Sequence, residues 1–209
     1  MVIIVLRRIG IELARHAPFT AAGAVSGIVI MAIVLWANIP ANVSETMFYV
    51  LHPTHVLLSA IVPTAMYRQY RGGRFWAAAL IGYTSSVGIA TLHDSIIPYL
   101  AGESLGINMQ FQIGFIEKWW LVNPAAFVGV AIGYLRPATK LPHAAHVLVS
   151  TWASSFYFTA FGVAEWLPLL PFIFLYMFGA VWLICCFGDI VYPHLFLGGD
   201  QHHHDEIGH

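Results

Sequence analysis

The stretch HPTHVLLSA at residues 52–60 recurs as HAAHVLVST at residues 143–151, with both histidines, the valine, the first leucine and the serine in common. Further along each half, DSIIPYL at 94–100 matches DIVYPHL at 189–195 in its Asp, its Pro and its final Leu. The offsets are 91 and 95 residues, so order and spacing are kept. A fainter echo sets Ile11-Glu12 against Ile116-Glu117. Shared apolar residues carry little weight in a chain that is 59% hydrophobic, and the weight rests on the rare His and Asp. Internal similarity of this kind marks a fold built from two copies of one unit.

The 209 residues around these stretches include only nine Lys plus Arg and ten Asp plus Glu, 9% charged against about 25% in soluble domains. With a mean hydropathy of +0.75, a water-soluble globule is excluded. A net charge of −1 leaves no basic footprint for nucleic acid. Two adjacent cysteines cannot make a disulfide framework. The chain reads as an all-α integral membrane protein whose partners are the lipid bilayer and metal ions. A homo-oligomer is compatible with this reading.

A helix needs about 20 apolar residues to cross the hydrocarbon core. Pro, Gly and charge clusters divide the chain into six such stretches, expected at 19–38, 47–66, 75–100, 119–135, 143–164 and 166–187. Residues 1–18, with Arg7, Arg8, Glu12 and Arg15 among Ile, Val and Leu, read as an amphipathic interfacial helix and not a signal peptide. Residues 19–100 then form a first three-helix repeat, 101–118 an external or interfacial segment, 119–197 a second repeat, and 198–209 a His-rich disordered tail. Three spans per half is an odd number, so the second repeat enters the bilayer upside down. That is the inverted-topology design of secondary transporters. Eight of nine Lys and Arg fall on one side, all but Lys118, which predicts a cell (plasma or inner) membrane location with both termini cytoplasmic.

Intramembrane ionisable groups are costly and therefore mark function. His52 and His55 are three apart and share a helix face. They lie early in the second span, and His93 and Asp94 come late in the third, so all four are expected near the outer surface. Three imidazoles and a carboxylate match a divalent-metal ligand set, Zn²⁺ most naturally, with Fe²⁺, Mn²⁺, Co²⁺ and Ni²⁺ as alternatives. The second half is expected to repeat the arrangement at the cytoplasmic face with His143, His146, Asp189 and His194. Glu117 and Asn123 could add oxygen atoms, and Cys185 and Cys186, four and three residues before Asp189, could add soft ligands at the inner mouth or simply pack as small hydrophobes. Pro53 and Pro98 are expected to break their helices beside these groups. The tail, DQHHHDEIGH at 200–209, reads as a metal-collecting tract, and His16 as a solvated residue of the surface helix.

No phosphate-binding loop, nucleophile elbow, HExxH or dinucleotide fingerprint is present, so ATP-driven transport by this chain alone has no support. The sequence therefore points to a transporter or channel for a divalent transition metal with clusters near both membrane faces. Metal binds deprotonated His and Asp, which makes proton coupling a corollary. The alternative is a membrane-embedded metalloenzyme, hydrolase or oxidoreductase, using one cluster. Haem ligation by paired histidines and a structural role in a larger membrane complex are further alternatives.

Overall fold

A computed structural model describes the backbone of residues 2–71, 74–136 and 140–185, and the side chains of 14, 17–69, 74–136 and 145–184. The chain is almost entirely helical: α1 (Val2–Trp36), α2 (Ala41–Arg71), α3 (Phe75–Thr91), a π-helical turn (Leu92–Ile96), α4 (Ile97–Ser104), α5 (Gly114–Glu117), α6 (Trp119–Leu135), α7 (Lys140–Phe161) and α8 (Leu170–Ala180), continued by a second π-helical turn (Val181–Cys185). Two short strands, β1 (Asn108–Met109) and β2 (Gly162–Val163), pair antiparallel between α4 and α5 and after α7.

Among the described residues, four helices are long and apolar enough to cross a membrane: Ala17–Trp36, Ala41–Gln69, Phe75–Ser104 and Leu167–Ile184. The all-α expectation holds, and the surface is that of a membrane protein. Val25, Val29 and Ile33 on α1, Leu80 on α3, Phe127 and Leu135 on α6, and Phe172 and Leu175 on α8 all stand exposed. Water would penalise so continuous an apolar exterior, whereas lipid does not. Tryptophans mark the helix ends, with Trp36 86% and Trp76 82% exposed, as interfacial anchors require.

α2 and α7 form the centre. The α2 span is 61% buried inside the protein, against 22% for Leu167–Ile184 on the periphery. α7 falls outside the apolar spans because its inward face carries Ser150, Thr151, Ser154 and Ser155, all buried. Three of these hydroxyls satisfy themselves on the helix's own carbonyls: Thr151 donates to Leu148 at 2.8 Å, Ser154 to Ser150 at 3.1 Å and Ser155 to Thr151 at 2.8 Å. These hydroxyls are thus carried through the bundle core with their hydrogen bonds met.

Small residues let the outer helices approach this pair. On α6, Gly129 and Gly133 form a GxxxG step that lies on the carbonyls of Leu57 and Ile61 of α2; a Cβ on Gly133 would meet the Ile61 oxygen at 2.5 Å. On α1, Gly23 and Gly27 form a second GxxxG step against α7, and a Cβ on Gly27 would meet Ser155 Oγ at 2.7 Å. Without a hydrophobic drive between helices in lipid, backbone proximity of this kind supplies the association. Trp152 Nε1–H donates to Ser26 Oγ at 2.9 Å across the α7–α1 interface, and Tyr83 O–H donates to Asn123 Oδ1 at 2.8 Å between α3 and α6. The indole of Trp152 thereby ties α7 to α1.

Several boundaries differ from the sequence expectation. α1 continues through Pro18 as one helix, so the backbone has no break between the expected surface segment and the first span. α2 begins six residues before the expected start of its span and passes through Pro53 and Pro63 unbroken, which corrects the expected break at Pro53. The third span runs on to Ser104, and the irregularity there is the π turn immediately before Pro98. Pro98 has no N–H to offer the carbonyl four residues earlier, that of Asp94, and the chain widens into a π turn at that level.

At one end of the bundle, where α4 and α7 end, residues 105–118 fold inward as a cap. β1 pairs with β2, Gln110 N–H donates to Phe161 O at 2.7 Å, and Gln112 N–H donates to Tyr157 Oη at 3.0 Å. The segment expected as an external loop is therefore built into the bundle.

Leucine at Gly133 should cost about 1–3 kcal/mol by overpacking against α2. Alanine at Gly88, where a Cβ meets nothing within 4 Å, should be neutral or stabilising by up to about 1 kcal/mol. Denaturant unfolding in detergent measures both, and equal stability of the two variants would contradict the packing described.

Candidate metal centre

Asp94 is the hub. Its carboxylate is fully buried and accepts N–H bonds from the Nδ1 atoms of His52 at 2.9 Å and His55 at 2.8 Å on Oδ2, and of His93 at 2.9 Å on Oδ1. Ser150 Oγ lies 2.6 Å from His93 Nδ1 and donates to Asp94 Oδ1 at 3.2 Å. A carboxylate offers about four lone-pair sites, so these donors satisfy it, and an ion binding Asp94 would have to displace at least one of them.

Local backbone explains how one residue can meet so many. In an α-helix, His93, Asp94 and Ser95 would diverge around the axis. In the π turn more residues share each revolution, so neighbours diverge less, and all three are buried, at 1%, 0% and 0% exposure. On α2, the HxxH spacing sets His52 and His55 on one face toward that turn. Ser150 and Ser154 reach it from α7, Ser154 Oγ donating to the His93 carbonyl at 3.4 Å.

The remaining ring nitrogens matter as much. Nε2 of His52, His55 and His93 is buried, and among the described residues none has a hydrogen-bond partner. An unmet buried polar atom costs about 1–3 kcal/mol, and three at one place call for an ion or water. One donor atom from each of His55, His93 and Asp94 lies within 4.8 Å of the others. Ligands of one ion with bonds of about 2.0–2.2 Å stand no more than about 4.4 Å apart, so the three could share an ion after small side-chain shifts. His52 stands outside this triplet. It stacks on Phe48, with ring centroids 5.3 Å apart and planes at 11°, and Gly114 of the cap lies against its ring, where a Cβ would meet Nε2 at 2.8 Å. Beside His93, a small cavity lined also by Ser154, Tyr176 and Met177 has room for about one water.

The four residues expected as an outer cluster therefore come together, but not near a surface. At 1.5 Å per residue, His55 is about 21 Å into α2 from Ala41. The residues thus lie nearer the middle of their helices than the apolar runs suggest, because α2 starts earlier and α4 ends later than those runs. His146, expected in a separate cluster at the opposite face, lies at the same level, about 22 Å from the end of α7 at Phe161. Its ring, 1% exposed, stacks on that of His55 with centroids 5.7 Å apart and planes at 12°.

Glu117 is exposed at the end of α5, outside the triplet, and Asn123 accepts the Tyr83 hydroxyl, so neither joins the buried donors. The side chains of His16, His143 and Cys185, and all of Cys186, Asp189, His194 and the tail, lie outside the described residues. Ser150 and Gly114 were missed in the sequence. The first was already visible as the serine shared by both repeats, whereas nothing local distinguishes Gly114 from other loop glycines.

Removing the hub should loosen the bundle in a graded way. Asp94→Ala strips three buried N–H groups of their acceptor and should cost at least about 3 kcal/mol, Asp94→Asn less, and Ser150→Ala about 1 kcal/mol. Unfolding in detergent gives the order, and an Asp94→Ala protein as stable as wild type would contradict the hub. Comparison of the chain with protein-family models, curated proteins and solved structures finds no match to any of them.

Proposed function

We propose that the protein is a secondary transporter for a divalent transition metal, Zn²⁺ in the first place, with the ion held by His55, His93 and Asp94. The observation that carries this is the fully buried triplet, with its unmet imidazole nitrogens, midway along the central helices of a chain almost free of other charge. Lone pairs without donors suit a cation, and the mixed nitrogen and oxygen set suits a borderline first-row metal. Since the His and Asp ligands bind metal when deprotonated, loading displaces protons, and coupling to a proton gradient follows naturally.

The six-span inverted repeat belongs to the same proposal. Exchanging α1, α2 and α3 with α6, α7 and α8 relates two of the observed pairings to two others, α2 on α6 to α7 on α1 and α3 on α6 to α8 on α1, whereas the close packing of α3 on α2 has no equal between α8 and α7 among the described residues. Each half carries a GxxxG step on its first helix, an HxxH pair on its second and a π turn on its third. α6, at 17 residues, spans about 25 Å, and α7, at 22 residues, about 33 Å, enough to cross with the polar face of α7 turned inward. Arg68, Arg74 and Arg136 lie at the end opposite the cap, which supports a cytoplasmic placement for that end and for both termini, with an interfacial segment ahead of the first span.

One observation favours a membrane-embedded metalloenzyme as the second reading. The donors gather at a single centre, and one buried metal with a neighbouring water-sized cavity also suits hydrolysis.

Purified protein should carry about one zinc per chain by elemental analysis, and His55→Ala or His93→Ala should remove it. Reconstituted in liposomes, wild type should pass Zn²⁺ or another first-row divalent ion, with either variant reduced at least about 10-fold. Metal-free wild type would end the proposal. Tightly held metal with no flux, together with turnover of a lipid or small-molecule substrate, would transfer it to the enzyme reading.

A further inference from the structure

His55 and His146 are the same residue of the two repeats: both end an HxxH pair, and they stand 91 positions apart, the offset of the whole motif. They also stack on each other. Two copies of one residue can touch only where the axis relating the copies passes between them. The centre of the bundle is therefore the point at which the first half hands over to the second.

The direction of the helices extends the relation. α2 runs away from the cap and α7 runs toward it, so His52 lies one turn nearer the cap than His55, and position 143, in the first turn of α7, lies one turn farther from the cap than position 146. In order through the bundle, the four positions are 52, 55, 146 and 143. The first end is closed by the cap: Gly114 lies on the His52 ring, and Tyr157 holds the backbone at Gln110 and Gln112. The other direction leads past His146.

We infer that His146 is a transfer ligand, which takes the ion from the His55, His93 and Asp94 triplet across the stacked ring pair and carries it toward the end of the bundle opposite the cap. This rests on the metal reading above and adds the route to it. The stack sets a second imidazole beside a ligand at the same depth, and because the lone pairs of parallel rings point side by side, the transfer requires the His146 ring to rotate toward the ion, which then gains one nitrogen before it loses another. Such an exchange never leaves a divalent ion bare in a low-dielectric interior, where an unpartnered charge is heavily penalised. His146 then speeds entry and departure without deciding how tightly the resting site binds.

The test is zinc release from the full-length protein in detergent, loaded to saturation and mixed with an excess chromophoric chelator. His146→Phe keeps a ring to stack on His55 but has no donor atom. It should retain wild-type stoichiometry while releasing and taking up zinc about 10- to 100-fold more slowly. His146→Ala should be slowed likewise, and added free imidazole should restore part of its rate, which a merely structural role for the ring would not predict. Unchanged rates in both variants would overturn the inference. So would loss of zinc as complete as in His55→Ala, because His146 would then be an ordinary ligand of the resting site. Wild type that binds no zinc would instead overturn the metal reading itself, and the route with it.

Discussion

A carboxylate with no access to solvent sets the terms for this bundle. Isolated in a medium of low dielectric, ionised Asp94 would be prohibitively expensive, and it is tolerated because three ring N–H groups and a hydroxyl occupy its lone pairs. Those donors come from α2, from the π turn and from α7, so satisfying one side chain requires three separate chain segments to meet at one depth. The glycines at 129 and 133, the self-bonded serines of α7 and the π turn ahead of Pro98 are the local devices that permit it. Each is weak alone. Together they bring helix backbones close enough for short side chains to reach the hub.

The same geometry changes what the repeat means. Two clusters at opposite membrane faces would be two independent stations, each needing its own carboxylate. The stacking of His55 on His146 brings one histidine of each pair together inside the bundle. On the proposed reading, alternating access then needs only small motions of one half against the other around a fixed centre, as in transporters with midplane sites. The second half already contributes to the first half's hub through Ser150, so a shift at the interface is felt directly by the ligands.

The helical membrane class was legible from charge and hydropathy, and the union of His52, His55, His93 and Asp94 was legible because HxxH spacing and the rarity of His and Asp are strong signals. Depth was not. Apolar runs mark the portion of a helix in hydrocarbon, and α2 and α4 extend past that portion with Ala, Asn, Ser and Glu, so residues counted from the edge of the run looked superficial when they were central. The inward reach of the cap was hidden for a different reason. Its bonds at Gln110 and Gln112 are made by backbone to Phe161 and Tyr157, about 50 residues away, and a backbone group leaves no mark in composition. The GxxxG steps at Gly23 and Gly129 were written plainly in the sequence, and they identify which helix packs on which central partner.

Charge counting bears on why a ladder of neutral imidazoles would suit passage better than a dense acidic site. With a single carboxylate, a bound divalent ion leaves the centre with one net positive charge in a poorly screened interior. Two carboxylates would neutralise the ion and hold it as a structural metal is held. Conduction and transport require binding strong enough to replace hydration and weak enough to release. On the proposed reading, Asp94 would provide the first condition at one point on the path, and histidines, which contribute a lone pair without a countercharge, would extend the path without deepening the well. The contrast between eleven histidines and a chain that is 9% charged is the composition such a path demands.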